Sequence, residues 1–256
     1  MKEERWNGIV LRYANFSESS RMLTLFTPQG LVPVTAKGCR RMKSPLRSGC
    51  ELFVFGEYLC SSRGDSHTLR SVQPVETFFA LRENLDALNA ACAMRDMVLA
   101  LVTEQDAQPE LFALMARSLG ELCRENADAM KVQLHFEMRA LSLNGYEPVL
   151  DHCAGCGGKL EKKVGFSPAM GGALCEACAG EGEVSPASVT QLRYLRDFTL
   201  EQLRRFALPE KAREPLMSLW RSYREYYLER HASRGDFVRR AESFLQENQP
   251  EFTPKS

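Results

Sequence analysis

The sequence predicts an α+β protein in which a small five-stranded β-barrel precedes an all-α region that carries a four-cysteine insert. Three observations lead to this prediction. Short runs rich in Val, Leu, Phe, Tyr and Thr, separated by turn residues, fill roughly the first 78 residues. Apolar residues then recur with a helical period. Two C-x-x-C pairs interrupt that helical pattern.

We expect five strands in the amino-terminal region. They run from Trp6 to Tyr13, Arg21 to Thr27, Leu31 to Lys37, Cys50 to Cys60 and Ser66 to Val72. Between the second and third strands, Thr27-Pro28-Gln29-Gly30 has the composition of a tight turn, because Pro fixes φ at the second position. Five short strands with a long polar loop after the third fit a closed barrel of the oligonucleotide-binding (OB) type. An SH3-like barrel or an open sheet also fits.

Helices are expected wherever apolar residues lie three, four or seven positions apart. The stripes are Leu81, Leu85, Leu88, Cys92, Leu99 and Val102; Leu111, Met115, Leu119 and Leu122; Leu134, Met138 and Leu141; and Leu216, Leu219, Tyr223 and Tyr226. Asn144-Gly145 is expected to end the third helix, and Ser185-Pro186 to begin a later one.

These patterns predict an OB-type barrel at residues 1–78 and a helical domain at 79–248, with an insert at 150–182 and a flexible tail at 249–256. The first ten residues lack the basic tract and apolar run of a signal peptide. No stretch approaches the roughly 18 apolar residues that span a bilayer. A cytosolic protein without a membrane partner is therefore expected.

The formal net charge is zero, but the charges are unevenly distributed. Residues 1–80 contain 11 Lys and Arg against 7 Asp and Glu, residues 81–188 contain 9 against 16, and residues 189–241 contain 12 against 7. Six basic and no acidic residues lie between Glu18 and Glu51. An acidic middle between two basic regions fits a protein whose ends contact an anionic polymer.

Four of the nine cysteines form two C-x-x-C pairs, Cys153 with Cys156 and Cys175 with Cys178, separated by eighteen residues. This spacing is typical of a tetrahedral Zn²⁺ site with four thiolate ligands. Because the protein fills all four positions, no water can be activated, and one structural zinc ion is expected. Rubredoxin-like iron, redox-active thiol pairs or no metal remain alternatives. His152 is expected to be a neighbour of the site and not a ligand.

Five basic residues lie in the predicted loop after the third strand: Lys37, Arg40, Arg41, Lys43 and Arg47. Such a loop can follow a phosphate backbone, with an affinity that depends strongly on salt and little on base sequence. Nearby aromatic residues could add stacking platforms, namely Tyr13, Phe16, Phe26, Phe53, Phe55 and Tyr58. An ordinary aromatic core beneath a solvated basic turn fits this composition equally well.

The chain resembles the bacterial RecO family in several segments. In the head these are Gly8-Ile9-Val10-Leu11, the run from Ser17 to Thr27, Gly30, and the run from Ala36 to Arg41. In the body, Leu143-Asn144-Gly145-Tyr146-Glu147-Pro148 leads into Cys153-x2-Cys156-Gly157, as in the zinc-bearing members. The resemblance covers almost the full chain in the same order.

The resemblance implies a non-enzymatic mediator of DNA repair and recombination, located in the cytoplasm at the nucleoid. Family members bind single- and double-stranded DNA and anneal complementary strands. With RecR they help to load RecA onto DNA coated with single-stranded-DNA-binding protein (SSB), whose acidic carboxy-terminal tail binds their helical domain. The family's DNA-contacting stretch corresponds to Lys37, Arg40 and Arg41. Lys43, Arg47 and Arg12 are assigned to the DNA contact only because they are positively charged. Some members lack the cysteines, which implies that zinc supports the fold.

No catalytic residue is expected. The sequence contains no G-x-x-x-x-G-K, H-E-x-x-H or G-x-S-x-G motif, and its four histidines share no metal-binding spacing. Two alternative functions remain open. One is a zinc-ribbon transcription or adaptor protein that binds mainly protein. The other is a metal-dependent nuclease, for which clustered carboxylates are not evident.

Overall fold

A computed structural model describes residues 2–104, 106–180 and 183–247 of the chain. Its amino-terminal part contains five strands, β1 (Lys2–Asn15), β2 (Arg21–Thr27), β3 (Gly30–Ala36), β4 (Phe55–Arg63) and β5 (Ser66–Glu76). The pairing order is β1-β2-β3-β5-β4, and β4 pairs with β1 again, so the sheet closes into a barrel. The predicted five-stranded OB-type barrel is confirmed.

Closure of the barrel depends on a long first strand. β1 pairs with β4 along its first half and with β2 along its second half, and its register shifts between Val10 and Arg12. All neighbouring strands are antiparallel except β3 and β5, which join through two parallel residue pairs. A strand whose two halves pair with different strands of a closed barrel has to bend, and a register shift of this kind bends a strand.

The fourth strand begins later than predicted. The sequence predicts a strand from Cys50, but β4 starts at Phe55, because Ser48–Cys50 forms a 3₁₀ turn and Phe53 has a positive φ of 65°. Cys50 and Phe53 are buried in the interior and do not alternate along an extended strand. The hydroxyl of Tyr58 donates a hydrogen bond of 2.8 Å to a carbonyl oxygen of the turn. Residues 48–53 therefore form a plug before β4, with Cys50 in the barrel core.

Within the described residues, seven helices follow the barrel. They are α1 (Leu85–Leu101), α2 (Pro109–Leu122), α3 (Ala129–Leu143), α4 (Glu176–Ala179), α5 (Pro186–Asp197), α6 (Leu200–Arg205) and α7 (Glu210–Glu247). The predicted helix boundaries at Gly145 and Pro186 are confirmed. No helix in these ranges combines the length and apolar character needed to cross a membrane. The predicted tail at 249–256 lies outside the described residues.

The buried face of α1 differs from the predicted stripe. Leu85 is 72% exposed, and the residues that α1 buries are Ala87, Ala90, Ala91, Met94, Met97, Val98 and Leu101. This face packs against α3. Small alanine side chains let two helix axes approach closely. The buried face therefore combines three alanines with larger side chains, and the contact with α3 selects it.

The barrel has a hydrophobic core of its own, and a second set of barrel residues joins the core of the helices. The Phe112 ring on α2 packs edge-on against Phe26 and Phe55, at centroid distances of 5.5 and 6.0 Å. The turn between β2 and β3 approaches the α1–α2 connection so closely that a Cβ on Gly30 would lie 2.8 Å from the Asp106 nitrogen. Gly30 also has a φ of +117°, which favours glycine. These contacts hold the barrel in one position against α1 and α2.

The insert between α3 and α5 contains a small antiparallel sheet, in the order β7-β6-β8. Its strands are β6 (Val164–Ser167), β7 (Gly172–Cys175) and β8 (Glu183–Val184), and α4 follows β7. Leu150, Val164 and Ala173 belong to the same core as the helices. The Phe166 ring also lies 5.7 Å from that of Tyr223 on α7. The insert is therefore packed onto the helical region.

Candidate nucleic-acid interface and metal centre

The four cysteines of the two C-x-x-C pairs come together in the insert. The Sγ atoms of Cys153, Cys156, Cys175 and Cys178 all lie within 4.8 Å of one another, and the Sγ atoms of Cys156 and Cys175 are 3.7 Å apart. A tetrahedral zinc ion with Zn–S bonds of about 2.3 Å requires sulfurs about 3.8 Å apart. The cluster therefore has the size of a four-thiolate zinc site.

Local backbone geometry brings the first pair of sulfurs together. The Cys153 N–H donates to the Gly158 carbonyl, and the Gly157 N–H donates to the Cys153 carbonyl, both at 2.8 Å. Gly157 has a φ of 73°, which closes this turn and favours glycine. The second pair spans the end of β7 and α4, with Cys175 on the strand and Cys178 on the helix.

The electrostatics of the cluster suit a divalent cation. Backbone N–H groups, that of Cys175 first, lower the pKa of the Cys153 thiol to about 6. Hydrogen bonds to the sulfurs of Cys175, Cys156 and Cys153 raise the pKa of the Cys178 thiol to about 12, so that a second thiolate in the cluster is disfavoured. A cation among the sulfurs would remove that penalty, and four thiolates suit Zn²⁺. The cysteines are therefore compatible with a zinc site, and His152 is not among the clustered groups.

The predicted basic loop, residues 37–47, presents its charges to solvent. All five of its basic side chains are exposed, namely those of Lys37, Arg40, Arg41, Lys43 and Arg47. Cys39 and Leu46 point the other way and are buried in the barrel core. Arg12 is exposed on β1, outside the loop. The apolar residues thus anchor the loop while its cations remain available to a ligand.

Hydrogen bonds give the basic loop a defined backbone. The N–H groups of Arg41, Ser44 and Arg47 each donate to a carbonyl three residues earlier, which makes three consecutive turns. The Arg40 N–H donates to the Ser19 carbonyl in the β1–β2 turn at 3.0 Å. A loop held in this way loses less conformational entropy when it binds an extended anion.

Two of the six aromatic residues considered as stacking platforms are exposed, Tyr13 and Phe16. Phe26, Phe53 and Tyr58 are buried, and Phe55 packs on Phe112. For these four residues the interpretation as ordinary core is the correct one. The alternation of a strand could not separate the two groups, because Phe16 lies in a turn and Phe53 lies in the plug before β4.

A groove in the helical region was not predicted from the sequence. Its volume is about 660 Å³, and it lies between α2, α3 and the α5–α6 connection. Its lining includes apolar Leu114, Phe198 and Leu200 and the exposed Arg117 and Arg139. No sequence motif could reveal it, because the two arginines lie on different helices.

His135 contributes to the wall of this groove in a structural role. Its Nδ1 lies 2.8 Å from the Leu195 carbonyl, and burial lowers its pKa. The neutral imidazole therefore links α3 to α5. His135 therefore has a structural role.

Comparison with known proteins relates both parts of the chain to one family. Residues 1–78 match the family model described as Recombination protein O N terminal. Residues 82–235 match the model described as Recombination protein O C terminal.

Curated relatives agree over most of the chain. The DNA repair protein RecO of Acetivibrio thermocellus is 29% identical over 238 residues, which cover 91% of this chain and 95% of the relative. The protein of the same name from Desulfitobacterium hafniense (strain DSM 10664 / DCB-2) is 31% identical, with 88% and 85% covered. That of Roseiflexus sp. (strain RS-1) is 33% identical, with 88% and 81% covered.

Proposed function

This chain belongs to the RecO family of DNA repair proteins, and from that premise we propose that it mediates recombination by binding DNA without cutting it. It binds single- and double-stranded DNA and anneals complementary strands. Together with RecR it helps to load RecA onto single-stranded DNA coated with SSB. It acts in the cytoplasm at the nucleoid.

The exposed basic loop is the observation that carries this proposal. Its cations face outward on a hydrogen-bonded backbone, on a chain whose formal net charge is zero. The attraction to DNA therefore comes from the basic loop and not from the net charge of the whole chain. Within the proposed interface, Lys37, Arg40, Arg41, Lys43 and Arg47 bind successive phosphates, and Arg12 extends the cationic surface along β1.

Titration of DNA binding against salt tests the function. With five or six phosphate contacts, the slope of log affinity against log salt is expected to be about −5 for duplex and about −4 for single strands. Annealing of complementary strands is expected without ATP. No affinity for DNA at low salt would favour the protein-binding adaptor, and DNA degradation in Mg²⁺ would favour the nuclease.

For the metal centre we propose one structural zinc ion, held by Cys153, Cys156, Cys175 and Cys178. The size of the sulfur cluster supports this proposal. When bound, zinc supplies four bonds that join the β7–α4 segment to the Cys153 turn, and it leaves no open position for chemistry. The insert at 150–182 then braces the helical domain at 79–248, while residues 1–78 form the DNA-binding domain.

The groove between α2, α3 and the α5–α6 connection is our proposed site for the acidic tail of SSB. Arg117 and Arg139 are exposed at an apolar lining, which suits a peptide that combines carboxylates with apolar side chains. Three acidic residues also line the groove, Glu110, Asp197 and Glu201. Asp197 pairs with Arg196 at 2.6 Å and Glu201 with Arg205 at 3.6 Å, so these two repel an acidic ligand less than free carboxylates would.

Replacing Arg117 and Arg139 by glutamate is expected to weaken binding of the SSB tail peptide on the order of tenfold or more, because attraction becomes repulsion. Isothermal titration with the tail peptide measures this change. Binding of naked DNA by the same variant serves as the control and is expected to stay unchanged. Equal peptide affinity in the parent and the variant would exclude the groove as the tail site.

A further inference from the structure

Two aromatic rings are exposed near the basic loop. Tyr13, close to the end of β1, is 39% exposed, and Phe16, in the β1–β2 turn, is 66% exposed. Large aromatic side chains are usually buried, as Phe26 and Phe53 are in the same barrel. Each exposed ring lies next to a group that is bonded to the basic loop or to the segment after it: Arg21 lies over Tyr13, and Ser17 follows Phe16.

Tyr13 is tied to the segment that follows the basic loop. The Arg21 guanidinium lies over its ring, with Cζ 4.0 Å from the ring centroid. The same guanidinium donates to the Cys50 carbonyl at 2.8 Å and pairs with Glu51 at 2.9 Å. Arg21 thus covers one face of the ring and is itself held from two sides.

Phe16 is tied to the start of the basic loop. Its backbone N–H donates to the Ser20 carbonyl at 3.0 Å, which closes the β1–β2 turn. The carbonyl of the next residue, Ser17, accepts a hydrogen bond of 3.1 Å from the Arg40 guanidinium. The Gly38 N–H donates to the Ser20 hydroxyl at 3.2 Å. The ring therefore projects from a fixed backbone close to Arg40.

We propose that Tyr13 and Phe16 form a stacking site for unpaired nucleobases, whose adjoining phosphates are held by the basic loop. This inference rests on the DNA binding proposed above and adds strand selection to it. A ring face accepts any base, but the bases of a duplex are already stacked on one another. The loop cations attract both kinds of strand. The aromatic pair therefore adds affinity for single strands alone.

Replacing both rings by alanine, Tyr13→Ala with Phe16→Ala, tests the stacking site. Three ligands of equal length separate its contributions: oligo-dT, a duplex and an abasic deoxyribose-phosphate strand. The affinity of the double variant for oligo-dT is expected to fall about tenfold for each stacked base that is lost. Its affinity for the duplex and for the abasic strand is expected to match that of the parent. Phe16→Trp, which keeps a ring, is expected to retain the binding of oligo-dT.

Phe79→Ala is the matched control, because Phe79 is 61% exposed but lies after the barrel, beyond β5. It is expected to bind all three ligands like the parent, and circular dichroism checks that every variant folds. Equal affinity of the parent for oligo-dT and the abasic strand would overturn the stacking site and leave the DNA-binding function intact. So would a double variant that weakens all three ligands alike. Failure of the parent to bind any of them at low salt would overturn the proposed function itself.

Discussion

Replacing Arg40 and Arg41 together by glutamate is expected to weaken binding to single- and double-stranded DNA on the order of 100-fold at low salt. Each substitution removes one phosphate contact with its counterion release and adds a charge that repels the backbone. For two lost contacts, the steepness of the salt dependence is expected to fall by about 1.8 for duplex and about 1.4 for single strands. Fluorescence anisotropy over a salt series measures both quantities.

Two further variants make this result specific to the loop. Arg40 also supports the β1–β2 turn through its guanidinium, so Arg41→Glu with Lys43→Glu removes charge without removing that bond. It is expected to weaken binding to a similar extent. Arg205→Glu with Lys211→Glu changes the net charge equally on exposed helical residues. If this control loses as much affinity as the loop variants, overall charge and not contact explains the effect.

Replacing Cys156 by serine is expected to abolish tight zinc binding and to unfold the insert locally. Apparent zinc-binding free energies of small structural sites are about 10–16 kcal/mol at pH 7, and much of that free energy is folding free energy. The insert has short strands, β6 and β7, and contributes few core side chains. Without the metal, little remains to offset the entropy of ordering its backbone.

Elemental analysis and hydrogen exchange measure the two parts of this prediction. The parent is expected to hold about one zinc per chain, with amides of residues 150–180 protected from exchange. Cys156→Ser and chelator-treated parent are expected to lose both zinc and protection. Cys92→Ser, at a half-buried cysteine of α1 outside the cluster, is the control and keeps both. Full protection of the insert in metal-free protein would show that zinc is not structural.

Several features of the fold follow from residues that are close together along the chain. Short runs rich in Val, Leu, Phe, Tyr and Thr between turn residues predicted the five barrel strands, and the spacing of Cys153, Cys156, Cys175 and Cys178 predicted one cluster of sulfurs. The composition of the basic loop predicted a solvated surface of positive charge. These signals can be read from the sequence because strand composition, the C-x-x-C turn and the cost of burying a charge depend on residues that are close together along the chain.

Other predictions were wrong or missing because burial depends on partners that are distant in sequence. The stripe chosen for α1 included the exposed Leu85, whereas the close approach of α3 buries the alanine face. The predicted fourth strand starts too early, since Ser48–Cys50 forms a 3₁₀ turn and Phe53, with a positive φ, is buried in the core shared with the helices. The groove with Arg117 and Arg139 had no signal, because three separate helical segments build it.

The sequence by itself determined the fold class, the order of barrel, helices and insert, the set of four clustered cysteines and the positive charge of the basic loop. Only the tertiary structure decided which aromatic rings are core and which are exposed, which face of α1 is buried, and where exposed arginines meet an apolar groove. The physical reason is that residue type and spacing set what a segment can form. The surface a side chain finally presents depends on what packs over it from elsewhere in the chain.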